Sequence, residues 1–140
     1  MKISRFNHEG YYDPTPHCAL TNIVREQRRQ ECFRPVVYIC SPVSGDQQRN
    51  MENTRRYCRF AVESGAIPLA PQLYFPQFMD GADRKEYELA LFMDSVLLTK
   101  CAELWVFGTG MTHRMAREIE KAGRRGMPIR RFTTGCKEVT

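Results

Sequence analysis

The chain lacks any apolar run approaching the ~20 residues that a membrane-spanning helix needs. Its opening, MKISRFNHEGYYDP, has no apolar core of the kind a secretory signal carries. Both absences point to a cytoplasmic protein without a membrane partner. The six cysteines, Cys18, Cys32, Cys40, Cys58, Cys101 and Cys136, include no C-x-x-C pair. Their scatter fits neither a zinc ribbon nor a disulfide framework and reads as reduced, packed thiols. There is no Walker sequence, and Gly108-Thr109-Gly110 lacks the third glycine of a dinucleotide fingerprint. A G-x-S-x-G elbow for serine hydrolysis is missing as well. His113 has no companion metal ligands, and His8 and His17 belong to the N-terminal stretch.

What is present suits one domain with one core in 140 residues. The net charge of +5 is concentrated at one end: residues 112–140 carry eight basic groups against three acidic ones. Most of that excess sits on the last helix and tail, including Arg114, Arg117, Lys121, Arg124 and Arg125. Such a patch reads as a solvated helix face that also attracts anions. No aromatic residues interleave it, which disfavours nucleic acid as a partner.

Residues 1–34 read as an extension. The run Tyr12-Asp13-Pro14-Thr15-Pro16 cannot form a regular helix, because each proline fixes φ and restricts the residue before it. A short helix is expected over 19–30, with too few apolar groups to stand alone. From residue 35 the pattern changes. Pro35 to Ser41 is apolar nearly throughout, as a strand buried on both faces should be. A helix is expected over 47–64, with Met51, Thr54, Cys58, Ala61 and Val62 inward. Further strands are expected over 66–70, 103–107 and from 129 to about 132, with helices over 84–100 and after Thr112. This alternation predicts an α/β, flavodoxin- or Rossmann-like, three-layer fold with a parallel sheet of four to five strands over 35–140. Residues 71–82, PQLYFPQFMDGA, read as a loop whose large apolar groups, Tyr74, Phe75 and Phe78 among them, cover something.

Two acids stand on apolar stripes. Asp94 lies one turn from Ala90, Leu91, Leu97 and Leu98, and Glu118 shares a stripe with Met115, Ile119 and Ala122. A lone buried charge is costly, so each is either paired or put to use. In the first case they are structural ion pairs. In the second, a carboxylate shielded from water can attack an electron-poor sugar carbon while its neighbour protonates the leaving group. Ser41, Ser44 and Gly45 follow the first strand; Gly108, Thr109, Gly110 and Thr112 follow the third. Small hydroxyl residues and glycine at strand ends suit phosphate or sugar binding, and they equally suit turns and helix caps.

The run from Val37 to Ile129 resembles the nucleoside 2-deoxyribosyltransferase-like superfamily, and most closely its small DUF4406 or DUF7768 branch, often met in phage and prophage genomes. The matching pieces are YICSPVSGD with Asn50 after it, GAIPLAPQLYFP, LALFMDSVLLTKCAELWVFG and GMTHRMAREIEKAGRRGMPI. The opening YYDPTPHCALTNI is similar to the lead segment of that branch. The resemblance implies a flavodoxin-like sheet, a nucleoside or nucleotide ligand, no metal or organic cofactor, and a homo-oligomer. It implies Glu118 as nucleophile at C1′, and Asp94 as the residue that holds the substrate or assists the departing base, with Glu103 at the strand. It also implies sugar or phosphate contacts from Ser41, Ser44 and Gly45. Thr109, Gly110 and Thr112 stand where relatives carry serine and glycine, and Arg114 and Arg117 follow them. That added charge favours an anionic ligand.

Three readings follow. The first is an N-glycosidase or 2-deoxyribosyltransferase-like enzyme, for which Glu118 and Asp94 face one cavity. The second is a non-catalytic nucleotide binder, whose acids are tied up by Arg114, Arg117 or Arg49. The third is a structural or nucleic-acid-associated protein without a pocket.

Overall fold

The computed structural model describes residues 33–43 and 45–140. The expected helix over 19–30 and the rest of the stretch before residue 33 lie outside the described residues, as does Ser44.

Strand β1, Val36–Cys40, forms where the apolar run predicts it. Its side chains alternate between two buried faces, which is why no polar residue interrupts the strand. Helix α1, Gln47–Glu63, follows, started by Asp46, whose carboxylate accepts from the Arg49 amide at 3.1 Å. Gly65 turns the chain out of α1 at φ +86, a left-handed conformation suited to glycine. Strand β2 is Ile67–Leu69. The stretch expected as loop over 71–82 contains a one-turn helix α2, Pro71–Tyr74, and a 3-10 turn, Phe75–Gln77. Proline at the first helical position loses no hydrogen bond there, and its fixed φ starts the turn. Helix α3 is Arg84–Leu98, strand β3 Glu103–Phe107, helix α4 His113–Arg124 and strand β4 Ile129–Phe132. A short strand β5, Glu138–Val139, turns back beside β4 and was not expected. A forked Arg130–Glu138 pair at 2.9 and 2.8 Å fastens it.

The sheet order is β2-β1-β3-β4-β5, parallel except for β5. This is flavodoxin order with a reversed edge strand. Right-handed crossovers fix the layers. The step from β1 to β2 runs one way along the sheet, and the later steps run the other way, so α1 covers one face and α3 with α4 the other. The two buried clusters agree. Val37, Ile39, Trp105 and Phe107 pack with Tyr57 and Ala61 of α1. Tyr38, Cys40, Leu104 and Val106 pack with Leu98 of α3 and with Met115 and Ala122 of α4.

Within α1 one inward residue differs from the expectation. Tyr57 is fully buried and stacks on Phe107, whereas Val62 is exposed. The four described cysteines are free: Cys40 and Cys101 buried, Cys58 and Cys136 half-buried. Among the described residues, no helix is long and apolar enough to cross a membrane.

Candidate functional site

Neighbouring strands β1 and β3 send their chains in opposite directions along the sheet. Such a reversal leaves a crevice beyond the carboxyl ends of the two strands, where open α/β sheets take their ligands. Here the crevice opens into a cleft of about 470 Å³. Its walls come from the start of α1 (Gln47, Asn50, Thr54), from the segment over 72–82 (Gln72, Phe75, Met79) and from α3 (Tyr87, Ala90). Arg114 of α4 closes it.

The wall is held by a buried polar chain. Ser41 and Thr54 share a hydrogen bond of 2.8 Å, Gln72 donates to the Ser41 hydroxyl at 3.1 Å, and Gln72 also donates to the Ile39 carbonyl at 2.9 Å. The sequence expectation made Ser41 a ligand contact. In the structure its hydroxyl ties the end of β1 to α1 and α2. Gln72 gave no sequence signal beyond its place after Pro71.

Beside the cleft lies a buried ionic cluster. Asp94, on α3, is 2% exposed. Glu118, on α4, keeps 11% of its side chain exposed, and Arg114, one turn earlier on the same helix, keeps 14%. Arg114 pairs with both: its Nη2 with Asp94 Oδ2, and its Nε with Glu118 Oε1 at 3.6 Å. The two helices therefore present their inward acids to one guanidinium. Tyr38, from the middle of β1, lies against Glu118 and favours its ionised form. Yet Asp94 Oδ1, Glu118 Oε2 and the Tyr38 hydroxyl have no well-formed hydrogen bond among the described residues. Polar atoms this deep without partners are rare.

Burial dominates the electrostatics. It pushes the Glu118 carboxyl up to about 8, with Arg114 opposing the shift and Asp94 adding to it. Burial also raises Asp94 to about 6 against the pull of Arg114. The Tyr38 phenol is raised by burial first and then by Glu118 and Asp94. Burial likewise raises the Cys40 thiol, leaving it an inert neighbour. Both acids are therefore biased toward the protonated form, and Arg114 opposes that bias at each of them.

Arg114 corrects the expectation of a solvated basic face. It stands four residues before Glu118, on the same side of α4, so it turns inward with it. That spacing explains why Arg114, of the three arginines named from the sequence, is the one that engages the acids. Tyr38 was hidden in an otherwise aliphatic strand. A second cavity of about 430 Å³ opens on the other side of Arg114, between α3 and α4. Asp94 and Glu118 line it, and Arg117, Lys121 and Arg125 form its rim.

The remaining residues singled out from the sequence are dispersed. Phe75 lines the cleft; Tyr74 is 61% exposed and rests against Phe75 and Phe78. Thr112 caps α4 by accepting from the Met115 amide at 3.2 Å. Gly108 makes the turn after β3 at φ +87, and Gly45 is exposed in the turn before α1. Thr109 and Gly110 are also exposed, with Gly110 approaching Pro42, so the loops after β1 and β3 abut. Glu103 accepts from the Trp105 indole at 3.1 Å, away from the cluster. No three His, Cys, Asp or Glu side chains converge to hold a metal ion among the described residues.

Fold and crevice place the protein among flavodoxin-like α/β proteins. Within that class the chain belongs to the family described as a domain of unknown function, DUF7768, whose model matches residues 35–132. Among solved structures it is similar to a 2-deoxyribosyltransferase from the psychrotolerant bacterium Bacillus psychrosaccharolyticus. The TM-score is 0.50 at 13% sequence identity, over 70% of this chain and 72% of that one. The likeness is one of fold. No curated protein matches the chain.

Proposed function

We propose that this protein binds a nucleoside or nucleotide in the β1/β3 crevice and acts on the bond between base and sugar, as an N-glycosidase or 2-deoxyribosyltransferase. One observation carries the reading: two acids from consecutive helices, Asp94 and Glu118, meet in one buried cluster beside the cleft. The similarity to a 2-deoxyribosyltransferase fold supports it. In the proposed step a Glu118 carboxylate oxygen bonds to C1′ as the C1′–N bond breaks. The bond pair leaves with the base, which takes a proton from Asp94. Water or a second base then bonds to C1′ as the Glu118–C1′ bond breaks, its proton goes to Asp94, and the Glu118 carboxylate is regenerated. Residues 35–140 carry this chemistry, and residues 1–34 are an extension to it.

A second reading has a specific observation behind it. Arg114 engages both acids, as expected of a nucleotide binder without turnover. Incubating the protein with a panel of nucleosides and nucleotides, with mass detection of free base, separates the two. The enzyme reading expects base release by the wild type and none by Glu118→Gln, with ligand affinity kept within about tenfold. Tight binding without free base across the panel selects the binder. The homo-oligomer is assigned to the exposed apolar stripe of α3, Leu89, Phe92 and Val96. Phe92→Glu should lower the mass seen by light scattering, and an unchanged mass rejects that surface.

A further inference from the structure

Arg114 holds an unusual place: it lines the cleft and the cavity behind it, and pairs with both buried acids. The cleft walls carry other charged groups, Asp80 and Glu86, and both are acidic. Asp80 accepts from the Ala82 amide and Glu86 from the Asp80 amide, so each closes the loop before α3. Arg114 is therefore the one cation that a ligand meets among the residues lining the cleft. The side chain that engages the two acids thus also borders the cleft.

We infer that Arg114 reads an anionic group on the ligand: a phosphate monoester draws it from Asp94 and Glu118, and the carboxylate pair takes up a proton as it leaves. The inference rests on the nucleotide reading above and sharpens its substrate class to a nucleoside monophosphate. The physical ground is the cost of uncompensated charge. Two ionised carboxylates in one buried site need a cation, and without it one of them binds a proton. The groups facing Glu118 cannot replace Arg114. From β1 come Tyr38, a neutral phenol, and Cys40, a neutral thiol; from α3 comes Asp94, another acid. Arg117 and Lys121 stand on the rim of the rear cavity, on α4 itself. Above the Glu118 value, where the paired acids are ionised, the pair left behind gains a single proton, which gives the proposed step one acid to donate and one carboxylate to attack.

Calorimetry on the full chain at pH 8.5, above the Glu118 value, tests this. Suitable probes are the four carbocyclic 2′-deoxynucleosides and their 5′-monophosphates. Their C1′–N bond does not break for want of the ring oxygen, so binding is read without turnover. Titrations in two buffers of different ionisation enthalpy give the protons exchanged. The wild type should bind a monophosphate at least about tenfold tighter than its nucleoside, with net proton uptake. Arg114→Gln should lose both the preference and the uptake, and Arg114→Lys should keep part of the preference as a point charge. Equal affinity for the two probes overturns the inference, as does an Arg114→Gln variant that keeps the preference. If that variant fails to fold, wild-type binding without proton uptake overturns it. Binding that ignores Arg114 leaves the nucleotide reading standing, whereas no binding of any probe removes both.

Discussion

The two faces of one sheet are built to opposite rules. Under α1 the face is aromatic and closed. Tyr57, Phe107 and Phe132 stack with centroids 4.3 and 4.9 Å apart, and Trp105 and Phe60 pack against them. Under α3 and α4 the face is aliphatic and thiol at its edges, and an arginine, two acids and a phenol sit within it. Both faces are buried, so burial alone does not separate them. They differ in satisfaction: the rings find partners, whereas several carboxylate and phenol oxygens do not. One face holds the fold together, and the other keeps charged groups at a cost that stability alone does not explain.

Substitutions can break this comparison, and the largest effect belongs to the aromatic face. Phe107→Ala removes a ring stacked on both sides and should cost about 4 kcal/mol in urea unfolding. A loss under about 1 kcal/mol would mean that the face is not the anchor. Next comes Arg114→Met, which leaves two buried acids without their cation. At pH 8.5 it should cost about 3 kcal/mol, and much less at pH 4.5, where both acids are protonated. An equal cost at the two pH values would deny the cluster its charge.

The wild type should show a smaller trend of the same origin. Glu118 is raised to about 8 and Asp94 to about 6, so the folded protein keeps protons that the unfolded chain has released. This contribution is complete below the ordinary carboxylate value near 4.5 and is lost as pH rises through 6 and 8. Thermal melts should therefore fall in midpoint from pH 5 to pH 8.5, less steeply in Glu118→Gln. A rise over that interval would contradict the account. The smallest effect is expected outside both faces: Tyr74→Ser should change stability by no more than about 0.5 kcal/mol, because the ring is mostly exposed.

The strand side of the aromatic face was legible in the sequence, because strand periodicity and apolar runs are local signals, whereas Tyr57 and Phe60 of α1 were not expected inward. Strand β3 and the start of α1 fall where the pattern places them. The inward stations of Asp94 and Glu118 were legible for the same reason: each interrupts a helical stripe. Their shared partner was legible only as one of three arginines, Arg114, Arg117 or Arg49, and the choice among them is made by the fold, which brings α3 beside α4. The bond from Ser41 to Thr54 was not legible either, since it spans thirteen residues and only the packing of α1 on β1 creates it. Strand β5 escaped notice because two residues make no period, and its Arg130–Glu138 fork is a tertiary contact.

The proposed chemistry requires that Glu118 meet the sugar. Rapid acid quench of the wild type with a 2′-deoxynucleotide, followed by peptide mass mapping, addresses this directly. The expected adduct is an ester of Glu118 with C1 of the deoxyribose phosphate, found on the peptide that carries Glu118, formed as base is released and absent in Glu118→Gln. Base release with no adduct there, or with an adduct on another peptide, would contradict it.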